Sequence, residues 1–127
     1  MKVTAFWTAL LALLILGLML RVVVLRLTRR VGIGDGGDKE LAKAIRVHGN
    51  AIETVPIALL LMAGYELGGG LPWLLHAGGA ALLLGRLAHA FGLSRTSGTS
   101  PGRLLGSLAW AAVVVTMSVA ILLQRLT

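Results

Sequence analysis

The sequence predicts an all-α protein, an integral membrane four-helix bundle formed by a single domain over residues 1–127. The chain is 57% hydrophobic and only 13% charged, whereas a soluble domain carries about 25% charged residues. The core of a 127-residue domain is too small to bury so much apolar surface. The apolar residues also fall into four stretches, each long enough to cross about 30 Å of hydrocarbon at about 1.5 Å per residue.

The first stretch predicts a helix over about residues 3–27. With Lys2 before it, the segment has the charge pattern of a secretory signal peptide. Its apolar run is longer than the roughly 7–15 residues of such signals, and no small-residue cleavage site follows before Arg26. A retained transmembrane helix is therefore the favoured interpretation.

Turn residues separate the remaining three helices, which are predicted over about residues 39–67, 71–93 and 101–124. Glycines between positions 32 and 37 precede the second helix, and the glycines at 68–70 precede the third. Asp38 stands where an N-cap is expected, and Ser100-Pro101 has the pattern of an N-cap followed by a first-turn proline.

Basic side chains are concentrated at two of the three connections, and the net charge is +7. The positive-inside rule places the first and third connections in the cytoplasm and both termini outside. Because membrane topology accounts for the charge, nucleic-acid binding is excluded, and the absence of cysteine excludes thiolate metal sites and cysteine nucleophiles. The basic residues at the first connection are Arg21, Arg26, Arg29, Arg30, Lys39 and Lys43, and those at the third are Arg95 and Arg103.

Small residues recur at four-residue spacing in the last two helices, as in Ala81 and Gly85 of the third and Gly102 and Gly106 of the fourth. This pattern is typical of transmembrane helices whose backbones approach closely. A bundle of only four helices has little interior in which to shelter charged groups. We therefore expect a homo-oligomer, with protected space in the grooves between subunits.

One face of the second helix carries polar side chains at membrane depth. At about 100° per residue, Arg46, Asn50 and Glu53 project at about 0°, 40° and 340°, and His48 projects at about 200°. A charged side chain at the bilayer centre costs about 2.5–3.5 kcal/mol. Two interpretations stay open. One is an anion-accepting site, in which Arg46 binds a carboxylate; the other is a buried ion-pair network that fixes helix register and oligomeric state.

The end of the third helix adds Arg86 and His89, which lie three residues apart on one helix face and level with Arg46. Arg86 either contributes to the site, reaches the lipid headgroups or pairs with Glu53. His89 either contributes to the site or is a histidine at the membrane interface whose hydrogen bonds are satisfied there. A metal or haem site is disfavoured, because His76 lies at the opposite end of the same helix.

These residues resemble a known family. The pattern R-x-H-x-N-x-x-E-x-x-P over residues 46–56 is similar to the helix-two signature of the MAPEG family (membrane-associated proteins in eicosanoid and glutathione metabolism). Residues 34–37 and 85–92 resemble its bacterial branch. The resemblance covers essentially the whole chain and implies a bacterial inner membrane protein.

The resemblance implies a homotrimer that binds glutathione, as co-substrate, between neighbouring subunits near the cytoplasmic face. It also implies conjugation or reduction of hydrophobic small molecules that arrive from the membrane lipids. The resemblance further implies an arginine near the start of helix four that stabilises the thiolate, for which Arg103 is the nearest candidate here and Arg95 the other. The expected glutathione-binding residues are Arg46, His48, Asn50, Glu53, Arg86 and His89.

The chain departs from the eicosanoid-metabolising members at three positions. Thr54 follows the motif glutamate where those members have tyrosine, and His89 and Leu93 stand where they have tyrosines late in helix three. Two alternatives to a glutathione-dependent transferase or peroxidase stay open. One is a non-catalytic lipid-binding or scaffold trimer. The other is a small proton-coupled multidrug transporter with Glu53 as proton carrier, although such transporters carry their essential glutamate in the first crossing.

Overall fold

The computed structural model describes residues 1–95, 98 and 100–126, with the backbone alone for residues 93–95. It confirms the all-α, four-helix architecture. The helices are α1 (Lys2–Arg29), α2 (Lys39–Leu67), α3 (Pro72–Arg95) and α4 (Pro101–Leu126). All four contain a span long and apolar enough to cross a membrane, so the chain is an integral membrane protein.

The turn between α1 and α2 is held by side chains that the sequence places at the helix ends. Asp38 caps α2, because its Oδ1 accepts hydrogen bonds from the backbone N–H groups of Glu40 and Leu41, both at 2.9 Å. Its Oδ2 lies 3.0 Å from Nε of Arg29. The N–H of Leu41, together with the Arg29 guanidinium and the N–H of Glu40, holds the pKa of Asp38 below its ordinary value against the opposing effect of desolvation.

Both α2 and α3 contact the other three helices, whereas no Cα atom of α1 lies within 8 Å of one in α4 among the described residues. The core follows from this arrangement: Leu11 of α1, Met62 of α2, Leu82 of α3 and Met117 of α4 are all almost completely buried. Most of the outward-facing surface of α1 and α4 is apolar and exposed, as expected for helices that face lipid.

Close packing of α3 against α4 depends on the small residues that the sequence pattern singled out. A Cβ atom at Gly106 would lie 2.5 Å from the carbonyl oxygen of Gly85 and 2.6 Å from Cβ of His89. A Cβ at Gly102 would lie 2.5 Å from the carbonyl oxygen of Ala88. The predicted close approach of these two helices is therefore confirmed, and it brings the ends of α3 and α4 together beside Asn50 of α2.

At the other end of the bundle, hydrogen bonds to Glu66 of α2 hold the start of α1 against α2. The two carboxylate oxygens of Glu66 accept hydrogen bonds from the backbone N–H groups of Val3 at 3.0 Å and Thr4 at 2.8 Å. The indole of Trp7 lies directly against Gly79 of α3. These contacts fix α1 at the end of the bundle opposite Asn50 and Arg86.

Candidate functional site

Arg86 is the buried centre of a polar network between α2, α3 and α4, and only 3% of it is exposed. Its Nη1 donates to Oδ1 of Asn50 at 2.5 Å and to Oγ1 of Thr54 at 3.0 Å, and its Nη2 donates to the carbonyl of Gly106. Arg86 therefore neither reaches the headgroups nor pairs with Glu53, which were two of the three alternatives that the sequence left open. Three neutral oxygens, one of them the backbone carbonyl of Gly106, accept from its two Nη groups, whereas its buried Nε has no hydrogen-bond partner within the described residues.

Thr54 links this network to α4. Its hydroxyl accepts from Arg86 and donates to the backbone carbonyl of Asn50 at 2.6 Å. Its own carbonyl accepts a hydrogen bond from Nε1 of Trp110 at 2.9 Å. The sequence interpretation named Thr54 only as a departure from the family and predicted neither its place in this network nor the hydrogen bond of Trp110. The available signal was the four-residue spacing, which puts Thr54 on the same helix face as Asn50.

Arg46 and Glu53 form a separate pair on the outer face of α2. Nη1 of Arg46 lies 3.3 Å from Oε1 of Glu53, and their side chains are 59% and 56% exposed in the single chain. Their seven-residue separation is two helical turns, which allows the long side chains to meet. Glu53 is the midpoint residue of α2. A carboxylate at that depth is costly when it faces lipid.

A groove of about 290 Å³ lies between the network and the third connection. Asn50 of α2, His89 of α3 and Arg103 of α4 contribute to its lining, together with Ser100, Leu104 and Ser107. Oγ of Ser100 accepts from the backbone N–H of Arg103 at 3.3 Å, so Ser100 caps α4 as predicted. The groove is therefore built where the first turns of α4 cross the polar face of α2.

Positive charge converges on this groove. The guanidinium groups of Arg86, Arg103 and Arg46 all lie close enough to His89 to interact with it electrostatically. Each comes from a different helix, and Glu53 is the only acidic residue of α2 between Glu40 and Glu66. Such a cluster favours an anionic ligand, because guanidinium groups bind carboxylates through short, charge-assisted hydrogen bonds.

The structure brings most of the predicted site residues together. Asn50, His89 and Arg103 line the groove, Arg86 lies behind Asn50, and Arg46 and Glu53 lie beside it on α2. His48 is half-buried on another face of α2 and makes no side-chain hydrogen bond or ion pair within the described part of the chain. The side chain of Arg95 lies outside the described residues.

Comparisons with known proteins agree with this architecture. The sequence profile of the MAPEG family matches residues 4–123. The chain is also 48% identical, over 90 residues, to "Inner membrane protein YecN" of Escherichia coli strain K12 and to the protein of the same name from Escherichia coli O6:H1. In each case the match covers 71% of this chain and 69% of the relative. A family match over nearly the whole length, together with this identity, means that the chain belongs to the MAPEG family.

Proposed function

We propose that this protein is a membrane-embedded, glutathione-dependent transferase or peroxidase that acts on hydrophobic electrophiles. The observation that carries the proposal is a groove lined by Asn50, His89 and Arg103. Arg86 lies behind Asn50, and Arg46 lies one helical turn from Asn50 on α2. Membership of the MAPEG family supports glutathione as the anion.

The charges beside the groove complement those of glutathione, which has two carboxylates and one ammonium. Arg46 binds a carboxylate through its guanidinium, and Glu53, at present paired with Arg46, receives the ammonium. Asn50 contributes its amide NH₂, because its Oδ1 is already occupied by Arg86. His89 and the hydroxyls of Ser100 and Ser107 supply further polar contacts along the groove.

Activation of the thiol requires only a well-placed cation. Glutathione reacts as its thiolate, and a guanidinium nearby lowers the pKa of a thiol. A shift of one pKa unit corresponds to about 1.4 kcal/mol. Arg103 is our candidate for this role because it lines the groove at the start of α4, and Arg95 is the second candidate by its position in the sequence.

We further propose that the site is completed by a neighbouring copy in a homotrimer. In the single chain, the side chains of Arg46 and Glu53 are each more than half exposed at membrane depth. Contact of these charged groups with lipid is unfavourable. A neighbouring subunit would cover this pair and leave a hydrated crevice. The hydrophobic substrate would then enter sideways from the membrane lipids.

The location in the cell follows from the same arguments. Two relatives are named as inner membrane proteins, and we propose the same membrane for this chain. The basic residues at the first and third connections would face the cytoplasm, which places both termini outside. The groove lies at the end of the bundle that holds these connections, so glutathione would reach it from the cytoplasm.

One observation favours the alternative of a non-catalytic scaffold or lipid-binding trimer. Asn50, Thr54 and Gly106 already accept hydrogen bonds from the two Nη groups of Arg86, and Trp110 donates to the carbonyl of Thr54, so part of the motif is explained by packing alone. Stable trimers that bind no thiol and turn over no electrophile would establish this alternative.

Titration calorimetry in detergent tests the proposed binding site. We expect saturable binding of glutathione to the unmodified protein. Arg46→Ala should weaken it about tenfold or more, since a hydrogen bond to a charged group contributes about 1.5–3 kcal/mol. Arg125→Ala, at the opposite end of the bundle, is the control and should leave binding unchanged. An absence of saturable binding, or binding indifferent to Arg46→Ala, would contradict the proposal.

A further inference from the structure

The end of α1 carries cationic side chains that no carboxylate neutralises. Arg29 is paired with both Asp38 and Glu40, at 3.0 and 3.1 Å. Arg26 instead donates to backbone carbonyls, and Arg30 is exposed; neither has an ion pair within the described ranges of the chain. Two positive charges therefore remain at the point where α1 reaches the end of its apolar span.

These two arginines line a groove of about 470 Å³ on the surface of α1. Its apolar wall is formed by Val23 and Leu27, which are 41% and 74% exposed, together with Val31. Val23 and Arg30 are seven residues apart, which is about 10 Å along the helix. The groove thus runs from a lipid-facing apolar surface to a pair of guanidinium groups, and no acidic side chain lines it.

The turn after α1 holds this shape. The backbone N–H groups of Arg30 and Val31 both donate to the carbonyl of Arg26, which folds the chain back over the helix end. Nη1 of Arg26 donates to the carbonyl of Gly34 at 2.8 Å. A Cβ at Gly36 would lie 2.7 Å from Cγ2 of Val31, so the turn packs closely on Val31. These hydrogen bonds and packing contacts of the turn therefore hold the residues that line the groove in place.

We propose that this groove binds an anionic phospholipid, with the headgroup phosphate at Arg26 and Arg30 and the first part of an acyl chain along Val23 and Leu27. The charge complementarity supplies the attraction for the phosphate, since an arginine near a membrane surface contributes about 1 kcal/mol towards binding anionic lipid. The exposed apolar wall favours a lipid over a free anion. This site lies on α1, shares no lining residue with the groove at Asn50, His89 and Arg103, and does not depend on the proposed enzymatic function.

The backbone of Arg30 provides a test variant that should fold well. Arg30 is in the left-handed region, with φ 56° and ψ 40°, which glycine and asparagine adopt more readily than arginine. Arg30→Gly and Arg30→Asn should therefore keep or raise the melting temperature in lipid-free detergent while they remove the charge. Arg125→Gln removes one exposed charge at the other end of the bundle and is the matched control.

The experiment is native mass spectrometry, with thermal unfolding in parallel, in detergent containing phosphatidylglycerol or phosphatidylcholine with the same acyl chains. We expect saturable phosphatidylglycerol binding that raises the melting temperature, and about fivefold weaker binding in both Arg30 variants. Arg125→Gln and the zwitterionic lipid should show no such change. Equal phosphatidylglycerol binding by wild type and the Arg30 variants would overturn the proposal. A stabilisation reproduced by inorganic phosphate alone would also overturn it, because the ligand would then be a free anion.

Discussion

Arg86 of α3 donates a hydrogen bond from Nη1 to the side-chain oxygen of Asn50 on α2, at 2.5 Å. Because a guanidinium has no acceptor, this contact orients the Asn50 amide with its oxygen towards Arg86 and its NH₂ away from it. Asn50 also lines the groove beside Arg103. The buried network therefore presents a fixed donor at the candidate site.

The hydroxyl of Thr54 is the first test of this network. Thr54→Val keeps the shape of the side chain but removes both the acceptor for Arg86 and the donor to the Asn50 carbonyl. An unsatisfied buried polar group costs about 1–3 kcal/mol, so we expect a clearly lower melting temperature in detergent and weaker glutathione binding. Thr54→Ser keeps the hydroxyl and should restore most of both. A Thr54→Val protein as stable as wild type, or one no less stable than Thr54→Ser, would contradict this role of the hydroxyl.

The contact between α3 and α4 gives a second prediction. Gly106→Ala would press a methyl group against the Gly85 carbonyl and His89. The helices must then separate, and the carbonyl of Gly106 moves away from Arg86. We expect a loss of thermal stability, measured by unfolding in detergent. The control is Gly17→Ala in α1, where a Cβ meets nothing within 4 Å; it should be neutral or stabilise by about 0.5–1 kcal/mol. An equally stable Gly106→Ala protein would contradict the described helix contact.

Exchanging the charges of Arg46 and Glu53 separates assembly from binding. The double variant Arg46→Glu/Glu53→Arg preserves the ion pair between the two positions, so we expect it to keep the oligomeric state of the wild type in cross-linking and size measurements. It reverses the charge pattern beside the groove and should lose glutathione binding. Glu53→Arg alone leaves two like charges in the membrane and should disturb assembly. Retention of glutathione affinity by the double variant would exclude this pair from the site.

The cap of α2 predicts a pH dependence of stability. Since the pKa of Asp38 in the folded chain lies below its ordinary value of 3.8, the ionised carboxylate stabilises the folded state above that value. This contribution is lost as the pH falls below about 3.8 towards the folded-state pKa. Asp38→Asn keeps an acceptor for the helix N-terminus but cannot ionise. The difference in melting temperature between wild type and Asp38→Asn should shrink over this acidic range; a constant difference would contradict the assignment.

Much of the fold can be predicted from the sequence because it depends on local signals. The number of helices follows from apolar length, and the caps at Asp38 and Ser100 follow from residue type next to a helix start. The pairing of Arg46 with Glu53 is compatible with their spacing along one helix.

The partners of Arg86 could not be predicted in the same way. Asn50 is 36 residues away in the chain and Gly106 is 20 away, and Glu53, also on α2, is the more obvious partner for a cation. The partners of the Arg86 guanidinium depend on how closely α3 approaches α4 at Gly85 and Gly106. This close approach brings the Gly106 carbonyl within reach of the guanidinium. Helix spacing of this kind depends on tertiary packing and is not visible in a local pattern.

The most direct test of the central claim is the pKa of the thiol of bound glutathione, measured in detergent from the ultraviolet absorbance of the thiolate as a function of pH. If the groove beside Arg103 binds and activates glutathione, the bound thiol should titrate at least about one unit below free glutathione, a difference of about 1.4 kcal/mol. The shift should be smaller in Arg103→Gln. A bound thiol that titrates like free glutathione, or no saturable thiolate signal at any glutathione concentration, would contradict the account.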